Sequence, residues 1–273
     1  MSYAAIMLYV DADGTQEQQV RLCANLADKF NAALIGLSAL AIRPPFGAEG
    51  VVIEQITEAE IKEIKAKLAR KGSWFCDIAG ADHRKLEWRS VLDFPTEALA
   101  REARSADLIV IERTKGVGDI YSSLDPGRAI LGIGRPTLVV PNGASLLHAE
   151  HVVIGWKDTR EARRAVQDAL PFLHEAERVT IVEICEMGEE DRAQENINDV
   201  ARYLERHRIS GGPKVILHRE KSDAAQLIRL AQEETADLLI TGAYGHSRLG
   251  EWIFGGMTRD LLATCPIFCL MSH

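Results

Sequence analysis

Short apolar runs alternate along the chain with longer stretches whose apolar positions recur at helical spacing. Tyr3 to Val10, Ala33 to Leu40, Asp107 to Ile111 and Thr137 to Val140 read as strands covered on both faces, since their apolar runs are nearly unbroken. Leu86 to Val91 alternates as a further strand. Between them, Val20, Leu22, Cys23, Leu26, Ala27 and Phe30 give one apolar helix face. Thr57 followed by Glu60 forms a capping box for a helix from Glu58 to Ile78. Pro95 opens a short helix over Thr96 to Ser105, and another helix closes over Ala129 to Leu131. Residues 41–55, with Pro44, Pro45, Gly47 and Gly50, read as a long loop or flap.

Pro141-Asn142-Gly143-Ala144-Ser145 breaks this pattern, and the pattern then restarts. Strands are expected at His151–Trp156, Arg178–Ile184, Lys214–His218, Asp237–Thr241 and Ile267–Leu270. Helices are expected from Thr159 to Leu170, Glu190 to Arg208 and Ser222 to Thr235, with Gly211-Gly212-Pro213 as a turn. The halves repeat one another. Asp107-Leu108-Ile109-Val110-Ile111 matches Asp237-Leu238-Leu239-Ile240-Thr241 at an offset of 130 (237 − 107), and Pro136 matches Pro266 at the same offset. The predicted fold class is α/β, with two repeated five-stranded, mainly parallel, doubly wound sheets. The expected domains are residues 1–143 and 150–273.

The stretch that carries chemistry follows the fourth strand of the second half. Gly242 and Gly245 end that strand, and Gly255-Gly256-Met257-Thr258 opens a helix. Ligands on such sheets bind beyond the carboxyl ends of the strands. The free N–H groups and positive dipole end of a helix start suit a phosphate, and Thr258 offers a hydroxyl. The competing reading is a tight strand-to-helix connection whose glycines serve packing alone. Arg248, in the loop between the glycine pairs, either pairs with a phosphate or belongs to a solvated loop, and for His246 the solvated loop is the better reading. At the offset of 130, Gly242 falls on Glu112, Gly245 on Lys115, Gly255 on Asp125 and Gly256 on Pro126. The first half therefore lacks all four glycines, and one competent half beside one degenerate half is expected.

Composition narrows the function classes. A formal charge of −8 argues against an extended nucleic-acid surface. No apolar run approaches the roughly 20 residues of a membrane span, and the opening residues lack a basic stretch, so a cytoplasmic protein without a membrane partner is expected. The five scattered cysteines read as reduced core thiols rather than a metal set.

With the repeat and the glycine spacing in hand, the chain resembles a tandem universal stress protein, with the adenine nucleotide alpha hydrolase-like, Rossmann-like fold of that family. Nucleotide-binding members carry G-x2-G-x9-G-(S/T) after the fourth strand. Gly242, Gly245 and Gly255 match it, while Gly256 departs from the hydroxyl residue that follows. Thr258 resembles a second hydroxyl position of the family. The family also places an Asp at the end of the first strand, near the adenosine. Here Lys157 stands at that place and Asp158 follows, either serving one residue late or capping the next helix, the commoner use. In the first half, Asp11 or Asp13 fits the position.

The resemblance implies a stress-response protein whose second half binds an adenine nucleotide (ATP, ADP or AMP, with Mg2+ as a candidate companion) through Gly242, Gly245, Arg248, Gly255, Gly256, Met257, Thr258 and Asp158. It also implies an internal pair of the two halves through their fifth strands, with a homodimer as a further candidate. No catalytic residue is assigned. The P-loop pattern is absent, so hydrolysis would be slow at most. A nucleotide-independent interaction module, suggested by Trp252, Gly256 and Lys157, and a slow ATP hydrolase are the alternatives.

Overall fold

A computed structural model describes residues 2–43, 58–80, 85–113, 118–220, 222–245 and 256–273. Its spine is one sheet of ten strands. The first half supplies β1 (Ala5–Tyr9), β2 (Ala33–Ala39), β3 (Leu86–Val91), β4 (Leu108–Glu112) and β5 (Thr137–Val140). The second supplies β6 (His151–Trp156), β7 (Arg178–Cys185), β8 (Gly211–Leu217), β9 (Leu238–Gly242) and β10 (Phe268–Ser272). The order across the sheet is β3-β2-β1-β4-β5-β10-β9-β6-β7-β8. Each half is parallel within itself and reverses its strand order once, between β1 and β4 and between β6 and β9. The two five-stranded sheets expected from the sequence are joined edge to edge, because β10 pairs antiparallel with β5, with Leu270 opposite Leu138. All residues of both strands are buried, and pairing gives two apolar edges the hydrogen-bond partners they would otherwise lack.

Helices cover both faces. On one lie α1 (Glu17–Phe30), α2 (Glu58–Ala79), α5 (Arg160–Asp168), the short α6 (Leu170–Leu173) and α7 (Glu190–Arg206), packed over Leu8, Val110, Ile154 and Ile240. On the other lie α3 (Pro95–Glu102), α4 (Pro126–Ile133), α8 (Asp223–Glu233) and α9 (Gly256–Thr264), packed over Met7, Ile109, Val153 and Leu239. The two halves also meet through aromatic rings. Tyr3, Phe30 and Phe172 stack edge-on or tilted, with centroids 5.1 to 5.6 Å apart. The Tyr3 hydroxyl donates to the Asp168 carbonyl at 2.7 Å.

The repeated aspartate of the sequence has a structural cause. The Asp107 carboxylate accepts from the N–H groups of Ala4 and Ala5 at 2.7 and 3.1 Å. Asp237 accepts from those of Glu150 and His151, both at 3.1 Å. Each aspartate thus ties the start of its half's first strand to the fourth. One expectation fails locally: Gly211-Gly212-Pro213 is the beginning of β8, not a turn. β8 is an edge strand, where a missing proline N–H costs no ladder bond. A Cβ on Gly211 would sit 2.9 Å from Ile181 Cδ1, so the glycine lets β8 approach β7. The expected helix from Thr159 divides into α5 and α6. Thr57 and residues 44–55 lie outside the described residues. No described helix is long and apolar enough to cross a membrane.

Candidate functional site

At the β6–β9 reversal the strands end beside one another, with Gly155 opposite Thr241. Beyond that pair lies a cavity of about 260 Å3. Its walls are the end of β6 (Gly155 to Lys157), the start of α5 (Thr159, Ala162), Ile184, the start of α8 (Asp223, Leu227), the end of β9 through Gly245, and the first turn of α9 (Gly256 to Thr258). This is the place where a doubly wound sheet leaves room for a ligand.

The glycines do different jobs. A Cβ on Gly242 would lie 2.6 Å from Ala162 N and 2.7 Å from the Glu161 carbonyl carbon. Gly242 is therefore required because the start of α5 packs directly on the strand end; the packing role weighed for it in the sequence applies here. Gly245 lies against the same helix start, where a Cβ would come 3.0 Å from Thr159 Oγ1 and 3.1 Å from Glu161 Oε2. At Gly256 a Cβ would meet no atom of the other described residues within 4 Å. The N–H groups in the first turn of α9 have no intrahelical partner.

Thr258 is buried. Its Oγ1 accepts from Tyr244 N–H at 3.1 Å, so the hydroxyl holds the strand-end turn to α9 and keeps its own proton to donate. Tyr244 has φ of 60°, a left-handed conformation that costs a bulky residue energy. Burial, and then Asp125 of the first half, pushes its phenol up to about 12. Thr159 caps α5, accepting from Ala162 N–H at 3.2 Å. Burial pushes the neighbouring Glu161 carboxyl up, but its own backbone N–H, Arg160 and His273 outweigh that and hold it below the ordinary range. The charged side chains lining the cavity are Lys157 and Asp223, the latter held by His218 Nδ1 at 2.7 Å.

Of the residues expected from the sequence, Gly242, Gly245, Gly256, Met257 and Thr258 come together around this cavity. Asp158 does not. It points to the other face of the sheet, pairs with Arg163 and lines a separate groove between α5 and α7. Thr159 has taken the capping role weighed for Asp158, and Lys157 takes its place at the cavity. Arg248, Gly255 and His246 lie outside the described residues. Gly155, Asp223 and Tyr244 went unread in the sequence, and Lys157 was read only as the residue standing where the family has Asp. Gly155 carried a signal, since an isolated glycine inside an apolar strand marks a close approach.

The first half carries larger side chains at the corresponding strand ends. Ile6 pairs with Leu108 as Val152 pairs with Leu238, so Tyr9 and Gly155, each three residues further on, are equivalent. Tyr9 fills the α3–α4 side of the sheet with a ring that is 3% exposed. Glu112, equivalent to Gly242, is held by the amides of Gln16 and Gln19 at 2.9 and 3.0 Å. A side chain occupies what the second half leaves open, and the local charge is negative. Among the described residues no three His, Cys, Asp or Glu side chains converge as a metal set.

The sequence model of the universal stress protein family matches residues 148–273. A search of curated proteins finds no match. Among solved structures, a universal stress protein from Archaeoglobus fulgidus aligns over 98% of this chain and 95% of its own, at 12% identity and a TM-score of 0.73. A putative universal stress protein from Pseudomonas aeruginosa aligns over 99% and 93%, at 11% identity and a TM-score of 0.61. A shorter universal stress protein from Archaeoglobus fulgidus, solved in complex with dAMP, aligns over 51% of this chain and 98% of its own, at 20% identity and a TM-score of 0.34. The chain thus has the fold of universal stress proteins along its length, and its residues 148–273 match the sequence model of that family.

Proposed function

We propose that the second half binds an adenine nucleotide in the β6–β9 cavity and that the chain serves as a cytoplasmic stress-response protein without efficient catalysis. The observation that carries this reading is the contrast between Gly155 and Tyr9: the glycine lines the cavity at the strand reversal, and a buried ring stands at the same rung of the first half. In this reading the phosphates sit at the first turn of α9, bonded by main-chain N–H groups and the Thr258 hydroxyl. The nucleoside lies over Gly155 between Lys157 and Asp223. ATP is the first candidate, with Mg2+ supplied by the nucleotide rather than by a carboxylate set. The antiparallel β5–β10 pair supports reading the two halves as an internal pair.

Isothermal titration of the full chain with ATP, ADP and AMP tests the claim. Saturable heat with at least one of them, at millimolar concentration or below, is expected. The absence of heat with all three overturns it. Repeating the titration with EDTA shows whether Mg2+ contributes.

A further inference from the structure

Asp223 is the first residue of α8, and it lines the β6–β9 cavity. Its carboxylate is accessible, with the side chain 38% exposed. Leu227, one helical turn further on and on the same face, packs on Gly155, and both line the same cavity. A carboxylate in a first helical turn ordinarily serves the helix itself. α8 already has its cap, since Ser222 Oγ accepts from Ala225 N–H at 3.2 Å. The equivalent helix of the first half, α3, opens on Pro95, so the fold does not demand an acid at this position.

The carboxylate is held in one orientation. His218 follows β8, and its N–H donates to the Cys185 carbonyl at 2.8 Å, which ties it to β7. Gln226 bonds the Arg219 N–H and the Leu217 carbonyl at 2.9 and 2.7 Å, so the chain is pinned on both sides of His218. His218 Nδ1 lies 2.7 Å from Asp223 Oδ1. An ionised carboxylate only accepts, so Nδ1 carries the proton. Among the described residues no donor reaches the other Asp223 oxygen. The cavity also differs from end to end. The Thr159 and Thr258 hydroxyls lie at its β9 end, against Gly245 and Tyr244. The apolar Ile184 lies at its β7 end, next to the Cys185 that holds His218. In the order β9-β6-β7 these ends are two strand spacings apart, about 10 Å.

We propose that Asp223, oriented by His218, selects the base of the bound nucleotide by accepting from its exocyclic amino group. The inference rests on the nucleotide reading above and deepens it. With the phosphates at the start of α9, the ribose falls over β6 and the flat base reaches the apolar wall of Ile184 and Leu227. Its amino edge then meets the free Asp223 oxygen. Adenine offers a 6-amino donor to that one oxygen. Hypoxanthine and guanine carry a 6-oxo group, an acceptor set against an acceptor, and lose the bond. Asp223 is thus a specificity-determining residue, and His218 is the positioning residue behind it.

Titration calorimetry of the full chain compares ATP with purine riboside 5′-triphosphate, which has hydrogen in place of the 6-amino group, with ITP, which has oxygen there, and with 2′-deoxy-ATP. The corresponding monophosphates repeat the series. ATP is expected to bind roughly tenfold or more tighter than the purine riboside analogue, the worth of a hydrogen bond to a charged group, and tighter still than ITP, while 2′-deoxy-ATP follows ATP. Asp223→Asn, whose carboxamide both accepts and donates, should bring ATP and ITP to within about threefold of each other with circular dichroism unchanged. His218→Phe should narrow the preference for ATP without removing it. Equal affinity for ATP and the purine riboside analogue overturns this inference alone, as does a preference for ATP over ITP that survives in Asp223→Asn. A weakness of 2′-deoxy-ATP that disappears in Asp223→Asn also overturns it, by assigning the carboxylate to the ribose. Heat from none of the nucleotides removes the nucleotide reading itself, and this inference with it.

Discussion

Tyr9 and Gly155 occupy the same rung of the two half-sheets, and a buried phenol ring in one half stands where the other half has a cavity. Glu112 in place of Gly242 is a second difference between the same strand ends. A Cβ on Gly155 would meet Leu227 Cδ2 at 2.5 Å, the flexible end of a side chain that lines the cavity. Gly155→Ala should therefore push Leu227 into the ligand space. Stability should fall by about 1 kcal/mol, as for mild overpacking, while nucleotide affinity falls tenfold or more. Urea unfolding and titration calorimetry on the same variant separate the two effects, and unchanged affinity would place the nucleoside away from β6.

Gly242 and Gly256 should respond oppositely to alanine. At Gly242 the new Cβ collides with the backbone of α5, which cannot rotate away, so a loss of about 1–3 kcal/mol is expected. At Gly256 it enters open space at a helix start, where alanine is neutral or stabilising by up to about 1 kcal/mol. If a phosphate approaches the α9 main chain there, Gly256→Ala still weakens binding. Loss of affinity without loss of stability, read by calorimetry and thermal melting, is the signature to look for.

Much of the fold was readable because its causes are local. Unbroken apolar runs gave the buried strands, and Asp107 and Asp237 gave the repeat, since each aspartate holds the first strand of its half. The joining of ten strands was not written in periodicity, which describes a strand's faces and not its edges. At the site, the glycine spacing points to the strand end that borders the cavity, and it left the phosphate and packing roles of the glycines open. Gly242 is explained by α5, a neighbour distant in sequence, so its packing contact could not be seen along the chain. Asp158 was one residue from the position that matters, and in a strand end one residue reverses the face. The left-handed Tyr244 left no trace in the sequence because tertiary contacts, not its residue type, impose it.

The carboxyls around the second half's first helix should make stability depend on pH in two directions. Glu161 is held below its ordinary value, so its contribution is present above the unfolded value of about 4.3 and is lost as pH falls through the folded value. Asp168 is raised, chiefly by burial, with Ser272, Arg164 and Arg135 opposing. Its contribution is present below the unfolded value of about 3.9 and is lost as pH rises through the folded value. Glu161→Gln should accordingly flatten the acid limb of a stability profile, and Asp168→Asn should raise the plateau near neutrality. Urea midpoints between about pH 3 and 7 check both; a Glu161→Gln profile parallel to that of the parent protein would remove Glu161 from the account.

Thr258 links stability to binding more tightly than any glycine does. Its oxygen accepts the Tyr244 N–H, which secures a residue held at positive φ, and the residue lines the cavity. Thr258→Val keeps the shape but removes the acceptor, and the loss of that hydrogen bond costs about 0.5–1.5 kcal/mol. Thr258→Ser keeps the hydroxyl. Serine should therefore preserve both thermal stability and nucleotide affinity, and valine should lose both. Combining Thr258→Val with Tyr244→Gly divides the two roles, because glycine adopts positive φ without strain. The double variant should recover part of the stability, by roughly 1 kcal/mol, and none of the affinity. Affinity that returned with stability would show that the Thr258 hydroxyl serves the turn alone and that the ligand is held by the main chain of α9.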